Sequence, residues 1–207
     1  MPKSTQNLFK PFISQIVMAK GLYHYLRQLW KQPDKAELRE MMVQWRKDGT
    51  FTKVDKPLRL DRARSLGYKA KKGFVIIRVK IQRGGHRRER PNKGRRSKRL
   101  HTRKNLKMSY RWIAEQRVSK KFANLEVLNS YMIGKDGKHY FYEVICLDPQ
   151  RPEIAKSKDT KFITKKTNQN RPERGITSSA KKSRGLRNKH PTSKVRPSVR
   201  AGRRQGK

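Results

Sequence analysis

One stretch of the chain repeats its apolar residues at the spacing of an α-helix. Asp34 has Glu37 three residues after it, which is the arrangement of a capping box at a helix start. Gly49 lies where such a helix would end. Between them, four large apolar residues recur at intervals of three and four: Leu38, Met41, Met42 and Trp45. The pattern predicts a helix whose Met and Trp side chains pack into a protein core rather than around a ligand.

Three further segments have helical patterns. Asp61 is suited to cap a short helix that runs to Leu66 and ends at Gly67. Residues 22–30 form a second helical pattern, with an apolar side made of Tyr23, Leu26, Leu29 and Trp30. Residues 110–122 form a third, with candidate core contacts at Ile113, Val118 and Phe122.

Three other segments have patterns typical of β-strands. In residues 74–82 the odd positions from 75 to 81 are all β-branched, which predicts a strand buried first on both faces and then half exposed. Residues 125–131 and 140–147 bracket Gly134-Lys135-Asp136-Gly137, and Asp-Gly between two such runs predicts a hairpin. The order of helices, strand, helix and hairpin predicts an α+β domain between about residues 20 and 165.

Charge divides the chain into parts that fold and parts that do not fold alone. The 207 residues contain 56 Lys+Arg and 15 Asp+Glu, a formal net charge of +41. Residues 83–107 hold 12 of these basic residues and one acid, and residues 177–207 hold 11 and no acid. Both segments are too poor in apolar residues to offset their ordering entropy, so we expect them to be irregular until an anionic partner orders them.

Several classes of protein do not fit the sequence. No stretch approaches the ~20 apolar residues of a membrane span, and we expect neither membrane association nor a signal peptide. Cys146 is the one cysteine, which excludes an internal disulfide and a cysteine-based zinc site; we interpret it as a small buried residue of an intracellular protein.

No constellation of catalytic or metal-binding residues is evident. The five histidines are scattered without the helical spacing of a metal site, and no Walker-type loop occurs. Glu143 and Asp148 lie near one strand end, where we interpret them as ion-pair partners rather than general bases. The sequence therefore predicts no catalytic residues, no metal and no cofactor.

The basic segments favour nucleic-acid binding. Lys and Arg clusters displace counterions from phosphates and give strong, salt-dependent, largely sequence-independent affinity. The two segments contain no aromatic residue, which favours contacts with the backbone of folded RNA over stacking on splayed bases. Thr177 and Ser178 are suited to begin a helix whose N-terminal amides face a phosphate, with Lys181 and Lys182 behind them.

Six blocks of the sequence, in order, resemble one family. They are residues 59–71 followed by Gly73, residues 125–131, Tyr142-Glu143-Val144, Asp148-Pro149, residues 174–178 and residues 181–186. Together they resemble the L-fifteen-e family of large-subunit ribosomal proteins of archaea and eukaryotes, and the short loops look more archaeal. The resemblance implies a structural protein of the large ribosomal subunit in the cytoplasm, with large-subunit rRNA and neighbouring ribosomal proteins as partners and no homo-oligomer.

The resemblance also implies a small α/β domain around a largely antiparallel sheet, with long basic extensions that order on RNA. We expect an N-terminal extension at residues 1–17, one domain from residues 18–82 and 108–165, a basic excursion at residues 83–107 and a basic arm at residues 166–207. The expected RNA contacts are Arg59, Arg62, Arg64, Tyr68, Lys69, Lys71, Lys72, Arg83, His86, Arg87, Arg88, Arg90, Lys93, Arg95, Arg96, Lys98, Arg99, Arg103, Lys104, Lys107, Lys165, Lys166, Arg171, Arg174, Thr177, Ser178, Lys181, Lys182, Arg184, Arg187, Lys189, Arg196, Arg200, Arg203 and Arg204.

Two alternatives remain open from the sequence. One is a free-standing basic protein that compacts nucleic acid or acts as an RNA chaperone, and it would not sediment with large subunits. The other is a nucleic-acid-modifying enzyme with basic arms, which would need catalytic carboxylates that converge with a metal.

Overall fold

A computed structural model of the protein describes residues 20–84, 94 and 108–188. The helices are α1 (Leu22–Lys31), α2 (Lys35–Lys47), α3 (Leu60–Ser65), α4 (Tyr110–Lys121), α5 (Pro152–Ala155) and α6 (Ser178–Ser183). The strands are β1 (Phe51–Val54), β2 (Phe74–Gln82), β3 (Glu126–Lys135) and β4 (His139–Leu147). Two short 3₁₀ helices, Lys161–Thr164 and Lys166–Asn168, lie between α5 and α6.

The four strands form one antiparallel sheet in the order β1-β2-β4-β3. The α+β class is therefore confirmed. The β3–β4 hairpin is present, but Gly134 and Lys135, which the sequence assigned to the turn, are the last residues of β3. The turn itself is tighter, because the Asp136 carboxylate accepts hydrogen bonds from the backbone N–H groups of Lys138, at 2.7 Å, and His139.

Apolar clusters cover both faces of the sheet. Ile77, Val79 and Ile81 of β2 pack with Val118 of α4 on one face. Ile76, their neighbour in sequence, points to the opposite face and packs with Trp45 of α2 and with α3. A strand buried on both faces was expected for this segment, and β2 has the predicted bounds.

The start of α2 is as predicted, whereas the start of α3 and the buried side of α1 differ from the predictions. Asp34 caps α2 by accepting the Ala36 N–H at 2.8 Å, as predicted. The prediction that Asp61 caps α3 is wrong, because the helix begins two residues earlier, at Leu60, and Arg59 is its N-cap. Asp61 lies in the first turn, where its charge suits the helix dipole. Leu29 was expected on the buried side of α1 but is 65% exposed.

Packed structure continues past residue 165, where the sequence placed the end of the domain. The indole N–H of Trp112 donates to the Pro172 carbonyl at 2.7 Å, and Ala180 of α6 is fully buried. The Asn170 N–H donates to the Glu126 carboxylate at 3.1 Å. The chain from Asn170 to α6 therefore lies against α4 and β3.

Candidate nucleic-acid interface

The basic residues around α3 divide into exposed side chains and side chains used by the fold. Arg62 and Arg64 are exposed on α3, and Arg64 also donates to the Tyr23 hydroxyl. Arg59 is half-buried between the Trp30 ring, 5.1 Å from its guanidinium carbon, and Asp61 at 3.5 Å. Tyr68, an expected RNA contact, is 9% exposed. Its ring packs edge-on against Phe74 at 5.7 Å, so it is a core residue.

An open basic cavity of about 500 Å³ lies between the turn before β2 and the end of α5. Lys71 and Lys72 line it from one side, and Lys156, Ser157 and Glu153 line it from the other. Three ammonium groups against one carboxylate leave a net positive charge that suits a phosphate. No local pattern in the sequence indicates Lys156 and Ser157, because their nearness to Lys71 exists only in the folded chain.

Gly73 allows the turn before β2 and helix α5, which form the two walls of this cavity, to approach each other closely. Its φ of +90° is a conformation that favours glycine. A Cβ at this position would lie 2.6 Å from Ile154 Cγ1 in α5, so only a glycine allows the turn to approach α5 this closely. Two residues before Lys71, Lys69 forms an ion pair with Asp159.

The start of α6 faces a buried carboxylate instead of solvent. Thr177 caps the helix by accepting the Ala180 N–H at 3.4 Å, and its hydroxyl donates to Glu115 at 2.6 Å. Ser179 also donates to Glu115, and Thr177 and Glu115 are both fully buried. The expectation that these amides face a phosphate is therefore wrong, and Thr177 is a structural residue. Lys181 and Lys182 are exposed.

Three arginines expected to bind RNA are engaged with backbone carbonyls of the domain. Arg171 donates to Val127 at 3.2 Å, and burial lowers the pKa of its guanidinium. Arg174, which is exposed, donates to Gln169 at 3.2 Å and also to Thr167. Arg184 is buried and donates to Gly175 at 2.7 Å. The remaining basic residues near them are exposed: Lys165, Lys166 and Arg187.

The two basic segments join the domain at neighbouring points. The Tyr110 hydroxyl accepts from the Gly84 N–H at 3.0 Å and donates to the Gly84 carbonyl at 2.9 Å. The first basic segment therefore leaves and re-enters the domain beside the same tyrosine. The Ser109 N–H donates to Ser183 Oγ at 3.1 Å. The attachment points of the first basic segment therefore lie beside α6, close to where the second basic segment, the C-terminal tail, begins.

Arg83, at the first of these attachment points, is exposed and stacks on Tyr140, with its guanidinium carbon 5.1 Å from the ring centre. The other expected contacts in the two basic segments lie outside the described residues. They are His86, Arg87, Arg88, Arg90, Lys93, Arg95, Arg96, Lys98, Arg99, Arg103, Lys104, Lys107, Lys189, Arg196, Arg200, Arg203 and Arg204.

Glu143 and Asp148, the two acids that the sequence singled out, have structural partners in the domain. Glu143 was expected to form an ion pair, but its carboxylate accepts hydrogen bonds from the Tyr131 hydroxyl and the Leu58 N–H, the latter at 3.2 Å. Burial raises the pKa of Glu143 above its usual range. Asp148 does form the expected ion pair, with Arg151 at 3.5 Å. Cys146 is fully buried, as predicted, and burial raises the pKa of its thiol.

Within residues 20–84 and 108–188, no group of three or more His, Cys, Asp or Glu side chains is placed to hold a metal ion. Over the same described ranges, no helix has both the length and the apolar composition that a membrane crossing requires.

Comparison with known proteins gives a match along most of the chain. The family described as Ribosomal L15 matches residues 21–202. The chain belongs to this family. Two relatives are both named large ribosomal subunit protein eL15. That of Methanocella arvoryzae is 48% identical over 196 residues, and that of Methanospirillum hungatei is 47% identical over 196 residues. Each alignment covers 92% of this chain and 100% of the relative.

Membership of the Ribosomal L15 family confirms the resemblance inferred from the six sequence blocks. The matched range includes all of residues 83–107 and most of the tail, so the two basic segments belong to the family sequence and are not additions to it. Both relatives come from archaea, in agreement with the archaeal character of the loops.

Proposed function

We propose that this chain is a structural constituent of the large ribosomal subunit that binds folded large-subunit rRNA by neutralising its phosphates. The observation that carries the proposal is its membership of the Ribosomal L15 family, with two relatives named as large-subunit proteins along their full length. A formal net charge of +41 supports an anionic partner of great length, because so large a charge repels itself in a compact protein alone.

The folded domain and the basic segments have different tasks in this proposal. The domain presents exposed cations at Arg62, Arg64, Lys71 and Lys72. It also fixes the points from which residues 85–107 and 189–207 extend along RNA, and these segments order as they bind. No catalytic step is assigned to the protein. Its partners are the large-subunit rRNA and neighbouring ribosomal proteins, it acts as a single copy, and its place is the ribosome in the cytoplasm.

Sedimentation distinguishes this function from that of a free-standing RNA chaperone. The tagged full-length chain, expressed in its own organism, is expected to co-sediment with large subunits and to stay there through a moderate salt wash. A chain found mainly at the top of the gradient would contradict the proposal and favour the chaperone.

Salt dependence tests the electrostatic basis of the function. For the free protein and a large-subunit rRNA transcript, log K is expected to fall linearly with log salt, by about 0.7–0.9 for each phosphate contacted. A slope near zero would contradict phosphate neutralisation. Limited proteolysis gives a second test, because residues 85–107 and 189–207 are expected to be cut in the free protein and protected in subunits. Equal cutting in both states would show that RNA does not cover them.

A further inference from the structure

One aromatic ring is exposed within a basic stretch of the folded domain. Phe162 lies in the 3₁₀ helix Lys161–Thr164 and is 36% exposed. Residues 160–171 hold four basic residues and no acid. The other large apolar residue of this stretch, Ile163, is buried and packs with Ile154 of α5. The fold therefore leaves Phe162 at the surface, since its neighbour in sequence makes the contact with the core.

The ring of Phe162 has a fixed cation on one face. The guanidinium carbon of Arg171 lies over the ring, 5.2 Å from its centre. Arg171 is itself held in place, because its Nη1 donates to the Val127 carbonyl of β3 at 3.2 Å. The Phe162 carbonyl accepts a hydrogen bond from the side-chain amide of Asn168 at 2.6 Å. Arg171 therefore covers one face of the ring, and the remainder is the part that solvent reaches.

The backbone on both sides of Phe162 is anchored as well. Before the ring, the Thr160 hydroxyl donates to the Ile154 carbonyl at 2.8 Å. After it, Arg174 donates to the Gln169 carbonyl at 3.2 Å. A surface held in this way loses little conformational entropy when it binds a ligand. The ring is therefore preorganised to receive a flat partner.

The exposed neighbours of the ring are cationic. Lys161 precedes it, Lys165 and Lys166 follow it, and all three are exposed. Residues three apart in a 3₁₀ helix lie on the same side, so residue 165 follows on the side that carries Phe162. An aromatic ring among cations is how proteins bind unpaired bases of RNA, because the ring stacks on the base and the cations neutralise the flanking phosphates.

A protein partner fits this surface less well than a base. Protein interfaces bury apolar side chains at their centre and are depleted in lysine. Within residues 160–171, Phe162 is the one large apolar side chain that is exposed, and it stands among three exposed lysines. A single ring is too little for the core of a protein interface, whereas it is enough to stack on one base.

We propose that Phe162 stacks on one unpaired base of the large-subunit rRNA, with Arg171 holding the ring from behind. The inference rests on the proposed function and deepens it, because it adds a base contact by the folded domain to the phosphate contacts. Stacking uses the flat face that every base has. The contact therefore selects unpaired over paired nucleotides and does not select among the four bases.

The test uses the full-length chain with F162A, F162L and F162W. Leucine fills much of the space beside Arg171 but has no aromatic face, whereas tryptophan keeps one. M132A is the matched control, because Met132 is another large exposed apolar side chain, on β3 and outside the basic stretch. The probe is a large-subunit rRNA transcript, and the dissociation constant is measured by filter binding over a range of salt concentrations. Melting temperatures are measured without RNA.

F162A and F162L are each expected to weaken RNA binding by about tenfold, which is the contribution of one stacked base. Their log–log salt slopes are expected to equal that of the wild type, because stacking releases no counterion from a phosphate. F162W and M132A are expected to bind within about twofold of the wild type. F162L is expected to melt within about 4 °C of the wild type, which separates the loss of the stack from a loss of structure.

The ways in which the test can fail are distinguishable. If the wild type binds with a steep salt slope and F162A binds like M132A, the stack is wrong and the proposed function stands. If F162L restores the affinity that F162A loses, the side chain only fills space and the stack is overturned. If F162A binds the transcript normally but no longer co-sediments with large subunits, the ring contacts a protein and the stack is likewise overturned. If the wild type shows no salt-dependent binding, the proposed function itself fails.

Discussion

The Thr177 hydroxyl donates a 2.6 Å hydrogen bond to the carboxylate of Glu115, 62 residues earlier in the chain. Ser179 donates to the same carboxylate oxygen, and Ser130 donates to the other. One fully buried acid therefore fastens α6 to α4 and to β3. A buried carboxylate needs such donors, since a charge without partners in the protein interior is strongly destabilising.

Replacement of Glu115 by Gln is expected to lower the free energy of unfolding by about 2 kcal/mol, because a neutral amide cannot accept all three hydroxyl donors. Urea unfolding followed by circular dichroism measures the change. The control is E153Q, at an exposed position, where we expect a change within about 0.5 kcal/mol. Equal stability of E115Q and E153Q would show that the carboxylate does not hold α6.

Glu143 is expected to make the protein less stable as the pH rises. Burial raises the pKa of its carboxyl above the ordinary value of 4.5, although the Tyr131 and Leu58 hydrogen bonds and the charges of Arg78 and Arg59 oppose this effect. The unfolded chain returns to the ordinary pKa, so above pH 4.5 the native state binds more protons than the unfolded state. The free energy of unfolding therefore falls as the pH rises from there through the raised pKa.

Urea unfolding of the wild type and E143Q between about pH 4.5 and pH 8 tests this pH dependence. The glutamine cannot ionise, so the decline with pH is expected to be shallower in E143Q. Some decline remains, because burial also raises the pKa of Glu126. Parallel pH profiles of the two proteins would contradict the assignment to Glu143.

The sheet and most helices follow from local sequence signals. The β-branched run of β2 predicted its bounds, and the carboxylate of Asp34 predicted where α2 begins. Such signals are local, because a cap or an alternating strand depends on residues within a few positions of each other. The start of α3 was missed by two residues, since Arg59 caps it without a side-chain hydrogen bond.

The functional surface followed from the sequence only in part. Charge density indicated which segments are basic, but it did not separate exposed cations from those that bind the domain's own carbonyls, as Arg184 does. The packing of residues 170–183 was missed because it rests on polar partners far apart in sequence, such as Glu115 with Thr177. Tyr68 was expected to contact RNA because of the family resemblance, whereas its ring faces Phe74 in the core.

Replacement of Gly73 by Ala is expected to destabilise the protein by more than about 1 kcal/mol. The new Cβ would lie 2.6 Å from Ile154 Cγ1, at a φ of +90°. Thermal melting measures the destabilisation. The control is G137A in the β3–β4 turn, where a Cβ meets no atom within 4 Å. If both variants melt at the same temperature, the close approach of the turn to α5 is not required.

The basic cavity is expected to bind one or more phosphates of the rRNA. The triple variant K71Q/K72Q/K156Q removes its ammonium groups, and we expect the log–log salt slope of rRNA binding to fall by about 0.7–0.9 for each phosphate that the cavity no longer neutralises. The control K35Q/K47Q/K53Q removes the same charge at other exposed positions of the domain. Equal slopes in the two variants would show that net charge alone matters and that the cavity is not a site.

In the proposed function, the hydrogen bond between Ser109 and Ser183 brings the attachment points of the two basic segments together, so that the segments bind RNA as a bivalent ligand. The hydrogen bond of Tyr110 with Gly84 joins the two ends of the first segment, and the 3.1 Å hydrogen bond from Ser109 to Ser183 places these ends beside α6. When RNA engages one segment, it is therefore held at a high effective concentration for the other. Two individually weak, salt-sensitive attachments can then act as one strong attachment, and separating their anchor points would weaken binding without removing a single positive charge.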